Sequence, residues 1–201
     1  MNKELSVSLN PVANPAAATT PAIWLRNAGI VLVGSALVAF CAHVALPLYF
    51  TPVPLTLQPF AVLLLGLFLS PRLASATLAA YLTEGALGLP VFTPGLLMSG
   101  GPAHLLGPTG GYLLAYPFAV ALIALLWRNS PRTFTAALVS AAAGNLAILA
   151  CGALWMSVWT HASAQSVFTL SVLPFLPGDA LKIVAAAGLA FGFQRLRRTS
   201  I

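Results

Sequence analysis

Residues 173–198 read LPFLPGDALKIVAAAGLAFGFQRLRR, and this one segment predicts the class of fold. Its apolar run from about Gly178 to Phe193 carries two charged residues, Asp179 and Lys182, both near its start. Three arginines follow directly after the run. An apolar run bordered by cations is typical of a helix that lies in a lipid bilayer.

The composition of the whole chain agrees with this segment. Of 201 residues, nine are Lys or Arg and three are Asp or Glu, so charged residues make up 6% of the chain. Soluble domains contain about a quarter. Apolar residues make up 59%, and the mean hydropathy is +0.94. So little charge cannot cover the surface of a soluble fold, and so much apolar surface excludes disorder. We therefore predict an all-α integral membrane protein that forms one bundle.

Proline, glycine and polar breaks separate six apolar segments. These segments are residues 23–46, 55–69, 73–87, 112–127, 134–158 and 178–193. We predict that they form a compact bundle of six transmembrane helices within residues 23–195. Residues 1–22 are predicted to be a flexible tail, and residues 196–201 a basic cytoplasmic tail.

Two connections are unusually apolar for loops. They are PLYFTPVP (47–54) and the Gly/Pro-rich residues 88–111. Four of the predicted spans are short for a full crossing, which favours loops that fold back to the depth of the membrane. Irregular backbone is tolerated there only where it lines a cavity in the protein. We therefore predict that these outer loops cap a ligand cavity.

The basic residues predict the orientation of the bundle. Arg26, Arg72, Arg128, Arg132 and the final arginine cluster all fall on one side of six spans. Positive charge accumulates on the cytoplasmic side, so both termini are predicted to be cytoplasmic in a multi-pass membrane protein surrounded by lipid. No basic stripe interleaved with aromatics suggests a nucleic-acid partner. The histidines have no metal-ligand spacing, and GPTGGY lacks the Lys-Ser/Thr of a nucleotide-binding loop, so no metal or cofactor is predicted.

Ionisable residues within spans predict the site, because they are costly in a membrane. Asp179 and Lys182 are three positions apart, so they share one helix face at the start of the last span. Glu84 lies near the outer end of the third span, where it can cap a loop or contact a ligand. A plain intrahelical salt bridge between Asp179 and Lys182 is the alternative to a ligand role.

Other polar and aromatic residues are predicted at the same level of the bundle. Thr56 and Gln58 begin the second span, Tyr112 begins the fourth, and Trp155 lies near the outer end of the fifth. For Tyr112 and Trp155 an anchor at the membrane interface is the alternative to a cavity role.

Small residues predict close helix packing. Ala136, Ser140 and Gly144 on the fifth span, and Gly188 and Gly192 on the sixth, are expected to pack inside the bundle. On the first span, Ser35, Ala36 and Ala39 predict a smooth face that contacts either a partner protein or the rest of the bundle.

An intramembrane enzyme is the alternative from another class, with Glu84 or the pair Ser99 and His104 as its reactive groups. No nucleophile-elbow pattern accompanies this pair. We therefore predict no catalytic residue and no enzymatic activity.

Four segments resemble the signature segments of the BioY family, the biotin-binding S-components of energy-coupling-factor (ECF) transporters in bacteria. They are TPVPLTLQPFAVLL (51–64), YLTEGALGLPVF (81–92), LLGPTGGYLLAYPFA (105–119) and LPFLPGDALK (173–182). The resemblance covers about residues 30–195 in the same order.

This resemblance implies a six-helix protein of the bacterial cell (inner) membrane that binds biotin near the outer face. It implies a transmembrane coupling subunit and two cytoplasmic ATPase subunits as partners, and biotin as transported ligand rather than cofactor. The Asp and Lys of the family's PGDxxK motif match Asp179 and Lys182, which are then expected to contact biotin. Thr56, Gln58, Glu84, Phe92, Tyr112 and Trp155 complete the expected ligand set. Another vitamin on the same scaffold is the alternative.

Overall fold

A computed structural model describes residues 21–94 and 101–199. Its elements in chain order are α1 (Pro21–His43), β1 (Ala45–Leu46), β2 (Leu55–Thr56), α2 (Gln58–Phe68), α3 (Pro71–Ala86), α4 (Pro102–Leu106), α5 (Gly110–Arg128), α6 (Phe134–Thr160), α7 (Ala164–Ser171) and α8 (Leu176–Thr199). Residues 1–20 of the predicted tail, residues 200–201 and Ser99 lie outside the described residues. The short helices α4 and α7 were not predicted from the sequence.

Six of these helices cover the six predicted apolar segments. Four of them (α1, α5, α6 and α8) are long and apolar enough to cross a membrane. With 11 residues, α2 is a shorter apolar helix, and α3 has 16 residues. The chain is therefore a mostly helical, multi-pass membrane protein, while a count of six full crossings remains a prediction.

Capping residues set the helix boundaries. Ser70 accepts a hydrogen bond from the Leu73 backbone N–H, and Pro71 fills the first position of α3, where a missing N–H costs nothing. Thr133 caps α6 in the same way by accepting from the Ala136 backbone N–H. His161 ends α6 in the left-handed conformation, with φ of 53°.

The two ends of the bundle differ in character. We call the end where α2, α5 and α8 begin and α6 finishes the cavity end, and the opposite end, which carries Arg72, Arg128 and Arg132, the arginine end. Residues 47–54 connect β1 and β2, which pair antiparallel with Ala45 opposite Thr56 at the cavity end. The Thr51 hydroxyl donates to the Leu170 carbonyl oxygen at 2.8 Å, so this connection is joined to the last turn of α7.

Gly144 of α6 packs closely against a neighbouring helix, whereas Gly188 and Gly192 of α8 do not. A Cβ on Gly144 of α6 would lie 2.2 Å from the Ile123 side chain of α5, so the two helices approach as closely as glycine allows. By contrast, a Cβ on Gly188 or Gly192 of α8 would have no neighbouring atom within 4 Å among residues 21–94 and 101–199, apart from the nearby backbone of its own helix. The expectation that these two glycines pack inside the bundle is wrong, because that stripe of α8 faces outward.

Candidate ligand-binding site

A cavity lined by both apolar and polar side chains opens at the cavity end. Its apolar wall consists of Val53, Pro54, Pro59, Leu113, Ile148, Leu149 and Phe175. Its polar lining consists of Thr56, Gln58, Thr93, His104, Thr109, Tyr112, Tyr116, Asp179 and Lys182. Both apolar connections predicted from the sequence contribute to this lining.

Asp179 and Lys182 form a buried ion pair in the wall of the cavity. Lys182 Nζ donates to Asp179 Oδ1 at 2.9 Å, and their side chains are 10% and 5% exposed, respectively. Asn145 of α6 donates its amide Nδ2–H to the other carboxylate oxygen of Asp179 at 3.0 Å. This hydrogen bond joins α6 to α8. Because two donors hold the carboxylate from two helices, its remaining lone pairs have a fixed direction.

Gln58 is the centre of a second polar group. Its Oε1 accepts from the hydroxyls of Thr56 at 3.2 Å and Thr93 at 3.1 Å. Its Nε2 donates to the Tyr81 hydroxyl at 2.7 Å, and Tyr81 donates in turn to the Val91 carbonyl oxygen. This network joins the start of α2 to the segment that follows α3. Both lone pairs of Gln58 Oε1 are used, whereas Nε2 has two N–H groups and donates one of them to Tyr81, so the other can be offered to a ligand.

Tyr112 reaches the cavity because a glycine faces it. A Cβ on Gly152 of α6 would lie 2.2 Å from the Tyr112 ring, so the ring occupies space that only glycine leaves open. The Tyr112 hydroxyl donates to the Ser171 carbonyl oxygen at 2.5 Å, which connects α5 to the end of α7. Tyr112 thus lines the cavity, and its contact with a ligand stays a prediction.

His104 of α4 also lines the cavity, although the sequence suggested it only as a residue of the alternative enzyme. Its ring stacks on Phe92 with 5.3 Å between the ring centroids, and the residue is 7% exposed. Its Nδ1 is buried without a hydrogen-bond partner among residues 21–94 and 101–199. Burial in this connection lowers the pKa of the imidazole from its usual value, which favours the neutral ring.

Glu84 does not line the cavity. Its carboxylate accepts a short hydrogen bond from the Ser35 hydroxyl of α1, so it joins α3 to α1. Ser35 faces α3 and is only 1% exposed. Ala36 is exposed, and Ala39 is half-buried against the core. Within the predicted face, Ser35 therefore contacts the rest of the bundle, whereas a contact of this face with a partner protein stays a prediction. Ser35 is turned inward, and bulky Leu32, Val33 and Phe40 surround Ala36 on the outside.

Phe92 and Trp155 contact the segments that form the cavity wall. Phe92 packs edge-on against Tyr81 and lies over Gly85, where a Cβ would be 2.1 Å from its ring. Trp155 donates its indole N–H to the Gly107 carbonyl oxygen at 2.8 Å and thereby holds the loop before α5. Neither residue is part of the lining.

Several lining residues were absent from the predicted ligand set. They are Thr93, His104, Thr109 and Tyr116, in addition to the apolar wall. Tyr116 has a helical signal, because it lies four residues after Tyr112 and so shares its helix face. Thr93 has no periodic signal because it lies in irregular structure, and His104 has none because its helix α4 has only 5 residues.

Comparisons with known proteins agree with this architecture. A sequence profile of the BioY family matches residues 10–199, so the chain belongs to the BioY family. A probable biotin transporter BioY from Pyrococcus horikoshii is 42% identical over 143 residues, which cover 71% of this chain and 82% of the relative. The biotin transporter BioY of Thermotoga maritima is 34% identical, with 81% and 92% covered.

A solved structure extends the agreement to three dimensions. A crystal structure of the S-component for biotin from an ECF-type ABC transporter matches with a TM-score of 0.78 and 26% identity, covering 89% of this chain and 95% of that one. The expectations of BioY membership and a membrane transport protein are confirmed, and because this family consists of transporters, the chain is not an enzyme.

Proposed function

We propose that this chain captures biotin in the cavity and takes part in its uptake as the S-component of an ECF transporter. The observation that carries the proposal is the buried pair Asp179 and Lys182 in the cavity wall of a protein of the BioY family. Burying a charged pair whose side chains are only 10% and 5% exposed costs free energy. A polar ligand that binds to the pair offsets that cost.

The chemistry of biotin matches the two parts of the lining. The ureido ring has two N–H donors and one carbonyl acceptor, which the Asp179 carboxylate and the Lys182 ammonium complement. The thioether ring and the aliphatic chain suit Leu149, Phe175 and the other apolar residues of the wall. Thr56, Gln58 and Tyr112 supply polar contacts, and Glu84, Phe92 and Trp155 act on the ligand indirectly through the elements that they hold in place.

The proposal includes partners and orientation. None of the segments contains a nucleotide-binding motif, so the energy for transport comes from other chains: a transmembrane coupling subunit and two cytoplasmic ATPase subunits. The exposed part of α1 around Ala36 and Ala39 is the proposed contact with the coupling subunit. The cavity end faces outward, and both termini face the cytoplasm of a bacterial cell, because the arginines occupy the other end.

Calorimetry tests the ligand directly. The purified chain in detergent is titrated with biotin, and we expect saturable binding of one biotin per chain. Thiamine and riboflavin, titrated in the same way, serve as controls for another vitamin on this scaffold. Saturable binding of a different vitamin and none of biotin would transfer the function to that vitamin.

A further inference from the structure

The cavity contains two groups that can carry a positive charge, and the proposed function uses one of them. Among the described lining residues these groups are Lys182 and His104. Lys182 is already paired with Asp179, so together they carry no net charge. Biotin has a carboxylate in addition to its ureido ring, and this carboxylate also requires a donor when it enters a poorly hydrated cavity.

The Asp179 pair is a poor site for that carboxylate. A carboxylate on Lys182 would share one ammonium with Asp179, and two anions around one buried cation repel each other. The two N–H groups of the ureido ring, by contrast, donate to Asp179 without repulsion. The carboxylate therefore needs a donor elsewhere in the lining.

Three hydroxyl groups of the lining already donate to groups of the protein itself. The hydroxyls of Thr56 and Thr93 donate to Gln58 Oε1, and the Tyr112 hydroxyl donates to the Ser171 carbonyl oxygen. His104 differs from them, because neither ring nitrogen is hydrogen-bonded to any residue within 21–94 and 101–199, and Nδ1 is buried as well. An unpaired buried nitrogen is costly, and a ligand that accepts from the ring removes that cost.

We propose that His104 donates a ring N–H to the carboxylate of the ligand, and thereby selects biotin over analogues that lack this charge. The stack on Phe92 holds the plane of the ring, so the N–H lies in that plane. Phe92 in turn is fixed over Gly85 of α3. The inference rests on the proposed function, since it assigns the second end of the same ligand.

Two ligands and a set of variants test the assignment. Biotin and biotinamide have the same rings and chain, but biotinamide has a neutral carboxamide in place of the carboxylate. His104→Phe preserves an aromatic ring for the stack on Phe92 and removes both nitrogens. His104→Gln retains an N–H donor. His43→Phe is the matched control, because His43 is an exposed histidine at the end of α1.

We expect His104→Phe to lower the affinity for biotin by about tenfold and the affinity for biotinamide by less than about twofold. His104→Gln should retain most of the preference for biotin, and His43→Phe should change neither affinity. If the phenylalanine ring prevents folding, as judged by melting temperature, His104→Leu removes the nitrogens with a smaller side chain and is measured in the same way.

Three results would overturn the assignment. The first is that His104→Phe and His104→Leu bind biotin with unchanged affinity. The second is that these variants lose as much affinity for biotinamide as for biotin. The third is that Lys182→Ala loses the preference for biotin over biotinamide while the His104 variants keep it. The last result would place the carboxylate at Lys182. If the unaltered protein binds neither ligand, the proposed function fails, and that outcome is distinct from a failure of His104 alone.

Discussion

The cavity end and the arginine end of this bundle are held together by different interactions. At the cavity end, buried polar side chains join separate elements: Gln58 joins α2 to the segment after α3, and Asn145 joins α6 to Asp179 of α8. At the arginine end, small apolar residues pack against large ones. Ala137, Ala141, Ala186, Ala187 and Ala190 form a buried cluster with Leu63, Leu67, Ile123 and Trp127.

This difference separates binding from stability. A network of directional hydrogen bonds holds donors and acceptors in fixed positions, which ligand recognition requires. Non-directional packing of alanines brings helices close together and contributes to stability without presenting any group to a ligand. Changes at the cavity end should therefore mainly alter biotin affinity, and changes at the arginine end should mainly alter thermal stability.

The largest effect on binding is expected at Asp179 and Lys182. Asp179→Asn replaces an acceptor by a donor, and Lys182→Ala leaves a buried carboxylate without its cation. A broken, desolvated charge contact costs about 2–5 kcal/mol, which corresponds to a loss of roughly 30-fold to several-thousand-fold in biotin affinity. Lys182→Arg should restore binding only in part, because a planar fork replaces a compact ammonium.

Melting temperature and biotin affinity should be measured on the same preparations of these variants. A pair that acts only as a salt bridge would lower the melting temperature and leave the affinity of the folded protein near normal. That outcome would remove the pair from the site and reduce the contrast between the two ends.

At the arginine end, Ala187→Leu should reduce stability and leave binding unchanged. Ala187 is fully buried, so a larger side chain overpacks the cluster at a cost of about 1–3 kcal/mol. Ala185→Leu is the matched control, because Ala185 lies on the same helix and is exposed. Thermal unfolding in detergent checks the first effect and calorimetry with biotin the second. A loss of biotin affinity in folded Ala187→Leu would show that the ends are coupled.

Gly152→Ala should affect both measurements, because it lies behind the cavity. The new Cβ would be 2.2 Å from the Tyr112 ring and would displace a lining residue. We expect a destabilisation of about 1–3 kcal/mol together with weaker biotin binding. Gly188→Ala is the control on an open helix face and should be stabilising by up to about 1 kcal/mol. Equal behaviour of the two variants would contradict the packing described for Gly152.

Ala36→Trp should leave biotin binding within about twofold, because Ala36 is exposed on α1 and lies outside the cavity lining. A bulky ring at this point should reduce co-purification with the coupling subunit and ATP-dependent uptake. Leu32→Ala on the same outer surface is the comparison for a change in size alone. Normal uptake by Ala36→Trp would assign this surface to lipid.

The smallest perturbation is a set of three single cysteines whose labelling tests which end faces outward. In a background without Cys41 and Cys151, Ala103→Cys and Ala162→Cys lie at the cavity end and Asn129→Cys at the arginine end, all at exposed positions. An impermeant thiol reagent added to intact cells should react with the first two and not with the third. Reaction of Asn129→Cys from outside would reverse the orientation.

The sequence predicted the helices well and the site in part, for identifiable physical reasons. The pair Asp179 and Lys182 was predictable because two charges three residues apart must share a helix face. Glu84 was equally conspicuous as a membrane carboxylate, but its partner Ser35 is 49 positions away, and no local pattern indicates that contact. For the same reason the sequence could not decide whether the face of Ser35 contacts a partner protein or the rest of the bundle. Gly188 and Gly192 lie on an outward face of α8. The spacing of small residues therefore shows which residues share a helix face, but it does not show what packs against that face.

The sequence by itself determined that the chain is a helical membrane protein with its cations at one end, because hydrophobicity and charge act locally along the chain. It also determined the BioY membership, since four motifs appear in order. Only the tertiary structure decided which polar groups meet in the cavity. His104, Thr93 and Gln58 come together from distant segments, and the distance between such segments depends on how helices pack and not on any period in the sequence.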